Sequence, residues 1–181
     1  MKMLYQELRL FFALLLFIAA CGPQILPTQT EKHPGEKSAS YEVVLGKPMT
    51  DNAVMDFIAH NNCYSADHFQ LCKEVGMALW IDAGQIVKTI YLYAGNADGF
   101  RRYQGELPFG LSFYDPMWRV QEKLKNVNTE DILQHAGLPD EVSSADRIHY
   151  WAVYQRLEMT IIYNSPFADE DAYIYAIWVS A

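Results

Sequence analysis

The chain has 181 residues, of which 51% are hydrophobic and 14% aromatic, and its formal net charge is −8 at pH 7. Because no lysine and arginine cluster is present to neutralise phosphates, this acidic balance argues against nucleic-acid binding. It favours partners with basic surfaces, such as other proteins. The hydrophobic fraction is sufficient for a substantial core.

Residues 1–20 have the organisation of a secretory signal. Lys2 and Arg9 lie in a charged start, and the run Leu10–Ala20 is apolar throughout. A helix that spans a bilayer needs about 20 apolar residues, whereas the apolar part of a signal needs about 7–15. The tetrad Ile18-Ala19-Ala20-Cys21 resembles the lipobox of bacterial lipoproteins. The resemblance implies cleavage before Cys21 and acylation of that cysteine; the alternative is an ordinary signal peptide in which Cys21 has no role.

The resemblance also implies a location. Several acyl chains give an effectively permanent anchor, since each buried methylene contributes about 0.8 kcal/mol. In lipoproteins of two-membrane bacteria, an Asp after the lipidated cysteine tends to retain the protein at the inner membrane, and here that residue is Gly22. We therefore expect an outer-membrane anchor that faces the periplasm. Residues 21–40, rich in proline and polar side chains, predict a flexible tether, and residues 41–181 predict a single domain.

The first part of this domain predicts a helix followed by strands. Thr50-Asp51 is typical of a helix start, and the helix is expected to end near Asn61-Asn62. Apolar and β-branched runs around the turn Asp82-Ala83-Gly84 indicate a hairpin. The expected strands are Phe69–Cys72, Met77–Ile81 and Ile86–Tyr93. In the last of these, Ile90 and Leu92 alternate with Tyr91 and Tyr93, which predicts one core face and one aromatic face.

The second part repeats this order after a loop from Ala94 to Gly105. Asp115-Pro116 predicts a helix cap and first turn, before an apolar face with Met117, Val120 and Leu124. A further short helix is predicted at Thr129–His135. The expected strands are Ile148–Tyr154, Met159–Tyr163 and Tyr173–Val179.

The repetition predicts an internal duplication. Met77–Ile81 matches Met159–Tyr163, and Thr89–Tyr93 is matched by Ala172–Ala176. A unit with one helix and a three-stranded meander cannot cover both of its faces alone. The predicted fold class is therefore α+β, with duplicated helix plus antiparallel three-stranded meander units, about 41–104 and 105–181, sharing one core.

This tandem arrangement resembles the helix-plus-hairpin modules of β-lactamase-inhibitor-like proteins and of small outer-membrane assembly lipoproteins. The stretch Gly105–Phe113, followed by a helix and Gly137-Leu138-Pro139, also resembles a motif of uncharacterised bacterial proteins, some of which look like toxin-immunity proteins. The resemblance implies an α+β domain that binds a protein.

Two cysteines remain beside Cys21. Export to an oxidising compartment favours a disulfide between Cys63 and Cys72, from the end of the first helix to the next strand. A zinc site is an alternative, because His60 and His68 complete a set of four candidate ligands with these cysteines. Free thiols are the third possibility. We expect the disulfide, no metal and no cofactor.

Common catalytic motifs are absent from the sequence: it has no Gly-x-Ser-x-Gly, no His-Glu-x-x-His and no phosphate-binding Gly-x-x-x-x-Gly-Lys. We therefore expect a protein that is not an enzyme. His149 lies in a strand-like run and His135 near a helix end, where structural roles are expected.

Three regions are candidates for binding a protein. The first is the aromatic and basic loop with Arg101, Arg102, Tyr103 and Phe109, whose residue types are frequent in interface hot spots; the alternative is a connector whose aromatic rings cover the core. The second is the acidic run Asp169-Glu170-Asp171 in a predicted hairpin loop, for which a solvated charge run is the alternative. The third is a tyrosine-bearing strand face, for which aromatic ladders that stabilise the sheet are the alternative. Its expected members are Tyr91, Tyr93, Tyr150, Tyr154, Tyr173 and Tyr175.

These observations predict a binding lipoprotein at the outer membrane with a protein partner in the periplasm. The acidic charge and the resemblance favour an immunity or inhibitor protein directed at a toxin or hydrolase. A structural role in envelope assembly is the first alternative. A periplasmic hydrolase is the second, and a titratable cluster in a deep pocket would be its signature.

Overall fold

The computed structural model describes residues 40–125, 127, 139, 141–143 and 149–181. The signal, nearly all of the tether and the predicted helix Thr129–His135 lie outside the described residues. The described helices and strands are α1 (Asn52–His60), β1 (Tyr64–Ala66), β2 (Phe69–Cys72), β3 (Met77–Ile81), β4 (Val87–Tyr93), α2 (Met117–Lys125), β5 (Glu141–Ser143), β6 (Tyr150–Tyr154), β7 (Met159–Tyr163) and β8 (Ile174–Ser180).

Helix α1 begins and ends where the sequence predicts. The Asp51 carboxylate accepts a hydrogen bond from Ala53 N at 2.8 Å, which satisfies one of the free N–H groups at the helix start. At the other end, Asn61 donates from its side chain to Phe57 O at 2.8 Å. Val54 and Phe57 are buried, so this side of the helix points into the core.

Helix α2 follows Asp115-Pro116, as predicted, but its acidic residue has a different role. Asp115 Oδ2 accepts hydrogen bonds from Ser112 N and from Lys123 Nζ, each at 2.7 Å. Lys123 also donates to Gly110 O at 2.8 Å. The carboxylate therefore fixes the loop before the helix to the second helical turn and is not a simple cap. Met117, Val120 and Leu124 are buried.

All described strands belong to one antiparallel sheet in the order β1-β2-β3-β4-β8-β7-β6-β5. The two parts of the chain join where β4 pairs with β8, with Tyr91 opposite Trp178. Each part contributes four strands, which corrects the predicted three. The additional strands are β1 and β5, which have three residues each and lie at the sheet edges.

The two four-stranded parts make corresponding connections. A 3₁₀ turn and one residue with positive φ lead from β2 to β3 and from β6 to β7; that residue is Gly76 in one case and Glu158 in the other. A pairing irregularity follows at matching places, between Trp80 and Ile81 and between Ile162 and Tyr163. Next to these irregularities, Thr89 pairs with Trp80 and Ala176 pairs with Ile162.

One face of the sheet carries the helices and the main core. The buried cluster there combines both helices with alternate residues of the strands. Its helix members are Val54, Phe57, Met117, Val120 and Leu124, and its strand members include Met77, Leu79, Ile90, Leu92, Ile161, Tyr163, Ile174 and Ile177. As predicted, Ile90 and Leu92 point into this core, whereas Tyr91 and Tyr93 lie on the other face of the sheet.

Candidate functional site

The sheet face opposite the helices carries a row of aromatic rings, which we name the aromatic sheet face: Phe69, Tyr91, Trp178 and Trp151. Neighbouring ring centroids lie 5.6, 4.9 and 4.8 Å apart along this row. The row crosses β2, β4, β8 and β6, so it includes both parts of the chain. These distances and the tilted or edge-on ring orientations are those of favourable aromatic pairs.

Strand register brings these rings together. Tyr91 lies directly opposite Trp178, and Phe69 and Trp151 are reached diagonally from them. Among the residues between the rings, Ala78, Ala176 and Ile162 have exposed fractions of only 1%, 1% and 4%. Trp80, which pairs with Phe69, and Thr160, which pairs with Trp178, lie on the same face and are partly exposed. The rings cover the three buried residues and remain partly exposed themselves. The result is an apolar surface that the described helices do not cover.

Further rings extend this surface. Tyr93 stacks on Phe100 with ring centroids 4.1 Å apart, and Lys73 Nζ lies 5.4 Å from the Phe100 ring centroid. His149 packs on Tyr175 at 4.3 Å. Burial raises the pKa of Tyr91, and burial together with Asp98 raises the pKa of Tyr93. Burial thus keeps both hydroxyls protonated to a higher pH than in an exposed tyrosine, and a protonated hydroxyl can donate a hydrogen bond.

The tyrosines that were predicted to share one strand face lie on different sides of the sheet. Tyr91 and Tyr93 belong to the open face, as predicted. Tyr150 and Tyr154 lie on the core side, where Tyr154 is 5% exposed. Tyr173 is 49% exposed beside the hairpin that precedes β8. The prediction is thus wrong for Tyr150 and Tyr154, because a strand sends neighbouring residues to opposite faces.

Sequence reasoning missed Phe69, Trp151 and Trp178 as members of a site. Their signal was available: Trp178 alternates with the core residues Ile177 and Val179, and Trp151 alternates with Tyr150 and Ala152. Which of the two alternating sets faced the core required the register of the neighbouring strands.

The loop with Arg101, Arg102 and Tyr103 is held against the sheet. Arg101 N donates to Lys73 O and Tyr103 N donates to Tyr93 O, both at 2.9 Å. Tyr103 is 4% exposed and belongs to the core cluster, and burial raises its pKa to about 12. Tyr103 therefore fits the alternative interpretation of this loop, in which the loop is a connector and its aromatic rings cover the core.

The two arginines of this loop point outward but are engaged with neighbours. Arg101 forms a 2.9 Å ion pair with Glu74. Arg102 donates from Nε to Ala94 O at 2.8 Å, and its guanidinium both bonds the Tyr114 hydroxyl and lies over that ring. Phe109 is 43% exposed in a turn with positive φ. The structure therefore does not gather Arg101, Arg102, Tyr103 and Phe109 into one surface cluster.

The acidic run Asp169-Glu170-Asp171 is exposed in the hairpin between β7 and β8. Trp118 N donates to Glu170 O at 3.4 Å, which places the first turn of α2 beside the hairpin. Trp118 is 43% exposed. An exposed tryptophan thus lies next to the carboxylates, a combination that the sequence did not indicate.

The predicted disulfide is confirmed. Cys63 and Cys72 are bonded, with Cα atoms 4.2 Å apart, and join the end of α1 to the end of β2. Because both sulfurs take part in the bond, neither is available as a thiolate ligand. The disulfide therefore excludes the alternative zinc site formed by His60, Cys63, His68 and Cys72. Cys72 is fully buried.

Among the described residues, no group of three or more His, Cys, Asp or Glu side chains is arranged to hold a metal ion. Of the helices described, neither α1 nor α2 has the length and apolar content that crossing a bilayer requires.

Comparisons of the chain with protein-family models, with curated proteins and with solved structures found no match.

Proposed function

We propose that this chain is a non-enzymatic binding lipoprotein of the bacterial envelope, and that it acts as an immunity or inhibitor protein toward a toxin or hydrolase. The aromatic sheet face is its contact surface. The row Phe69, Tyr91, Trp178 and Trp151 is the observation that carries this proposal. Tryptophan and tyrosine dominate interface hot spots, since they bury large areas at little entropic cost and retain one polar group.

The rigidity of this surface favours binding. Each ring is fixed on a strand and packs on its neighbour, so little conformational entropy remains to be lost when a partner covers the face. An interface of standard size buries about 800 Å² on each partner. Because the four rings are themselves only partly exposed, they form the centre of such an interface, and neighbouring residues of the same face supply the remaining area.

We further propose that the sheet arose by duplication of a four-stranded unit. The matching turns, the matching pairing irregularities and the central β4–β8 pairing support this. The hairpins also close alike: Ile86 N donates to Asp82 Oδ1 and Tyr173 N donates to Asn164 Oδ1, both at 2.9 Å. Under this correspondence, one unit supplies Phe69 and Tyr91, and the other supplies Trp151 and Trp178 at the equivalent positions.

The proposed anchor is Cys21, which places the domain at the periplasmic face of the outer membrane. The wild-type chain is expected to incorporate labelled palmitate, and the Cys21→Ser chain is expected to incorporate none. If the wild-type chain takes up no label, or the Cys21→Ser chain takes up as much as the wild type, the lipid anchor is wrong.

The binding proposal is tested by recovering the partner of the full chain from cross-linked envelopes and measuring its affinity for variants. Val153→Lys puts a cation on the aromatic sheet face without removing a ring, because Val153 pairs with Thr160, which pairs with Trp178. We expect this variant and Trp178→Ala to weaken binding by at least tenfold. Met55→Ala, which removes an exposed side chain from α1, is the control and is expected to bind normally.

The identity of the partner separates the alternatives. A stoichiometric basic toxin or a hydrolase supports the immunity or inhibitor role. Recovery with the outer-membrane assembly machinery would replace it with a structural role. Hydrolysis of a chromogenic ester or peptide by the purified chain, without any partner, would contradict the proposal. Urea unfolding of each variant shows whether weaker binding follows from a lost fold.

A further inference from the structure

The hairpin between β7 and β8 is longer than its counterpart between β3 and β4, although both close in the same way. Asp82 and Ile86 exchange backbone and side-chain hydrogen bonds at one hairpin, and Asn164 and Tyr173 do so at the other. Residues 83–85 connect the first pair, whereas residues 165–172 connect the second. Because three residues suffice to close this turn, the additional residues of the second hairpin are not needed to form the sheet.

The additional residues form an ordered turn that exposes a phenylalanine. Asp169 N donates to Phe167 O at 2.8 Å, Ala172 N donates to Asp169 O at 2.9 Å, and Asp171 N donates to Asp169 Oδ1 at 3.1 Å. Phe167 is 75% exposed, the largest exposed fraction among the large hydrophobic side chains of the described residues. One exposed ring is ordinary on a protein surface, whereas exposed rings that lie close together mark an interaction site.

Two further exposed aromatic side chains border this turn. Met117 N donates to Ala172 O at 3.1 Å and Trp118 N donates to Glu170 O at 3.4 Å, so α2 begins against the hairpin. Trp118 is 43% exposed and Tyr173 is 49% exposed. We name this region the hairpin tip: Phe167, Asp169, Glu170, Asp171, Tyr173 and Trp118.

We infer that the hairpin tip is a second contact surface, which inserts Phe167 into an apolar pocket rimmed by lysines and arginines on the protein partner. This inference rests on the proposed protein-binding function. The described ion pairs do not include Asp169, Glu170 or Asp171. Arg119, whose guanidinium lies 4.9 Å from the Trp118 ring centroid, is paired with Glu122 at 3.7 Å, so the three exposed carboxylates keep the tip acidic. Their charge complements a basic rim and steers association.

The same charges argue against other occupants. Anionic lipid headgroups repel a group of carboxylates, although an exposed aromatic ring alone would suit a membrane interface. Contact between the tips of two copies would bring like charges together, and a copy of the chain is itself acidic, with a formal net charge of −8. A basic protein surface satisfies both the aromatic and the acidic parts of the tip.

Photo-cross-linking from position 167 tests the inference in the full chain. Phe167 is replaced by benzoylphenylalanine, the chain is irradiated in its native envelope, and the cross-linked peptide is identified by mass spectrometry. We expect a single partner protein whose cross-linked segment is flanked by lysines or arginines. The same probe at Tyr114, which is 58% exposed at another place, is the control. The inference would be overturned if the probe at position 167 cross-linked only to lipid or to a second copy of the chain. It would also be overturned if the cross-linking yield equalled that of the probe at Tyr114.

Charge reversal supplies a second, independent measurement. Combined Asp169→Lys, Glu170→Lys and Asp171→Lys substitutions are expected to lower the cross-linking yield at least tenfold. Reversal of the exposed residues Glu42, Asp56 and Glu106 changes net charge equally and is expected to have little effect. An unchanged yield after reversal at the tip contradicts the role of the carboxylates.

The outcomes for the two surfaces are distinguishable. If Val153→Lys abolishes binding but the tip variants bind normally, the inference fails and the proposed function stands. If the position-167 probe reacts with a basic protein while Val153→Lys has no effect, the aromatic sheet face is not a contact surface. The inference about the hairpin tip is then still supported. Vesicles of phosphatidylethanolamine and phosphatidylglycerol test the membrane directly: binding of the Cys21→Ser chain that Phe167→Ala abolishes would also refute the inference.

Discussion

Loss of the Cys63–Cys72 bond is expected to destabilise the domain by an amount that the loop length determines. The bond closes a loop with a sequence separation of 9. In the chain-entropy description, a loop of this size contributes about 2.6 kcal/mol at 25 °C. For a domain of about 140 residues this corresponds to a lower melting temperature by roughly 8–10 °C.

The assay is urea unfolding of the Cys21→Ser chain with and without dithiothreitol, because reduction removes the bond and leaves both side chains in place. With a dependence on urea of about 2 kcal/mol/M, we expect reduction to lower the midpoint by about 1.3 M. The double variant Cys63→Ala/Cys72→Ala is the control, and reduction should not change its midpoint. It is also expected to be less stable than the reduced chain, since Cys72 is fully buried and alanine leaves a cavity.

The reasoning is refuted by either of two results. A change below about 1 kcal/mol on reduction would mean that the bond does not restrict the unfolded chain as the loop-closure argument requires. A change of equal size in the double variant would mean that dithiothreitol acts elsewhere. A mobility on non-reducing gels that is unaffected by reduction would show that the bond is not formed in solution.

Two further predictions concern packing and pH. Gly76→Ala is expected to lower the free energy of unfolding by more than about 3 kcal/mol, because the new Cβ would lie 2.4 Å from Arg101 O and Tyr103 N. The control Gly110→Ala has nearly the same positive φ but no atom within 4 Å of the new Cβ, so it should cost only about 1 kcal/mol in the same urea assay. Equal losses for the two variants would contradict the packing argument. Stability is expected to fall as pH rises above 10, because the pKa of Tyr103 is raised to about 12 by burial while the unfolded chain ionises near 10, so the folded state binds more protons. Tyr103→Phe should reduce this slope between pH 10 and 12, and an unchanged slope would exclude Tyr103 as a cause.

The helix positions and most strands follow from local sequence because each carries its own signal. Asp51 supplies the cap of α1, and β3 and β7 have the predicted bounds. Strands β1 and β5 were missed because three residues are too few for a recognisable alternation. The sheet order required long-range pairing, above all that of β4 with β8, which no local pattern encodes.

The sequence did not show which residues form the aromatic sheet face, because both sides of β6 are apolar. Tyr150, Ala152 and Tyr154 form one side and Trp151 and Val153 the other, so alternation alone does not say which side faces the core. In β4 the polar Thr89 marks the open side, and there the prediction was correct. The burial of Tyr103 likewise was not evident from local sequence, because it goes with a loop that folds back so that Tyr103 N donates to Tyr93 O.

The two four-stranded parts have some features in common and differ in others. Phe69 and Tyr91 occupy the positions that Trp151 and Trp178 occupy in the other part, so the ring row has the approximate two-fold symmetry of the sheet. If the proposed duplication is correct, such a row is older than the features found on one side only, which are the disulfide at β2 and the long hairpin before β8. A symmetric apolar face offers similar contacts in two orientations, whereas an acidic hairpin at one end favours a single orientation. We therefore expect the aromatic sheet face to determine affinity and the hairpin tip to determine which partner binds and in which orientation.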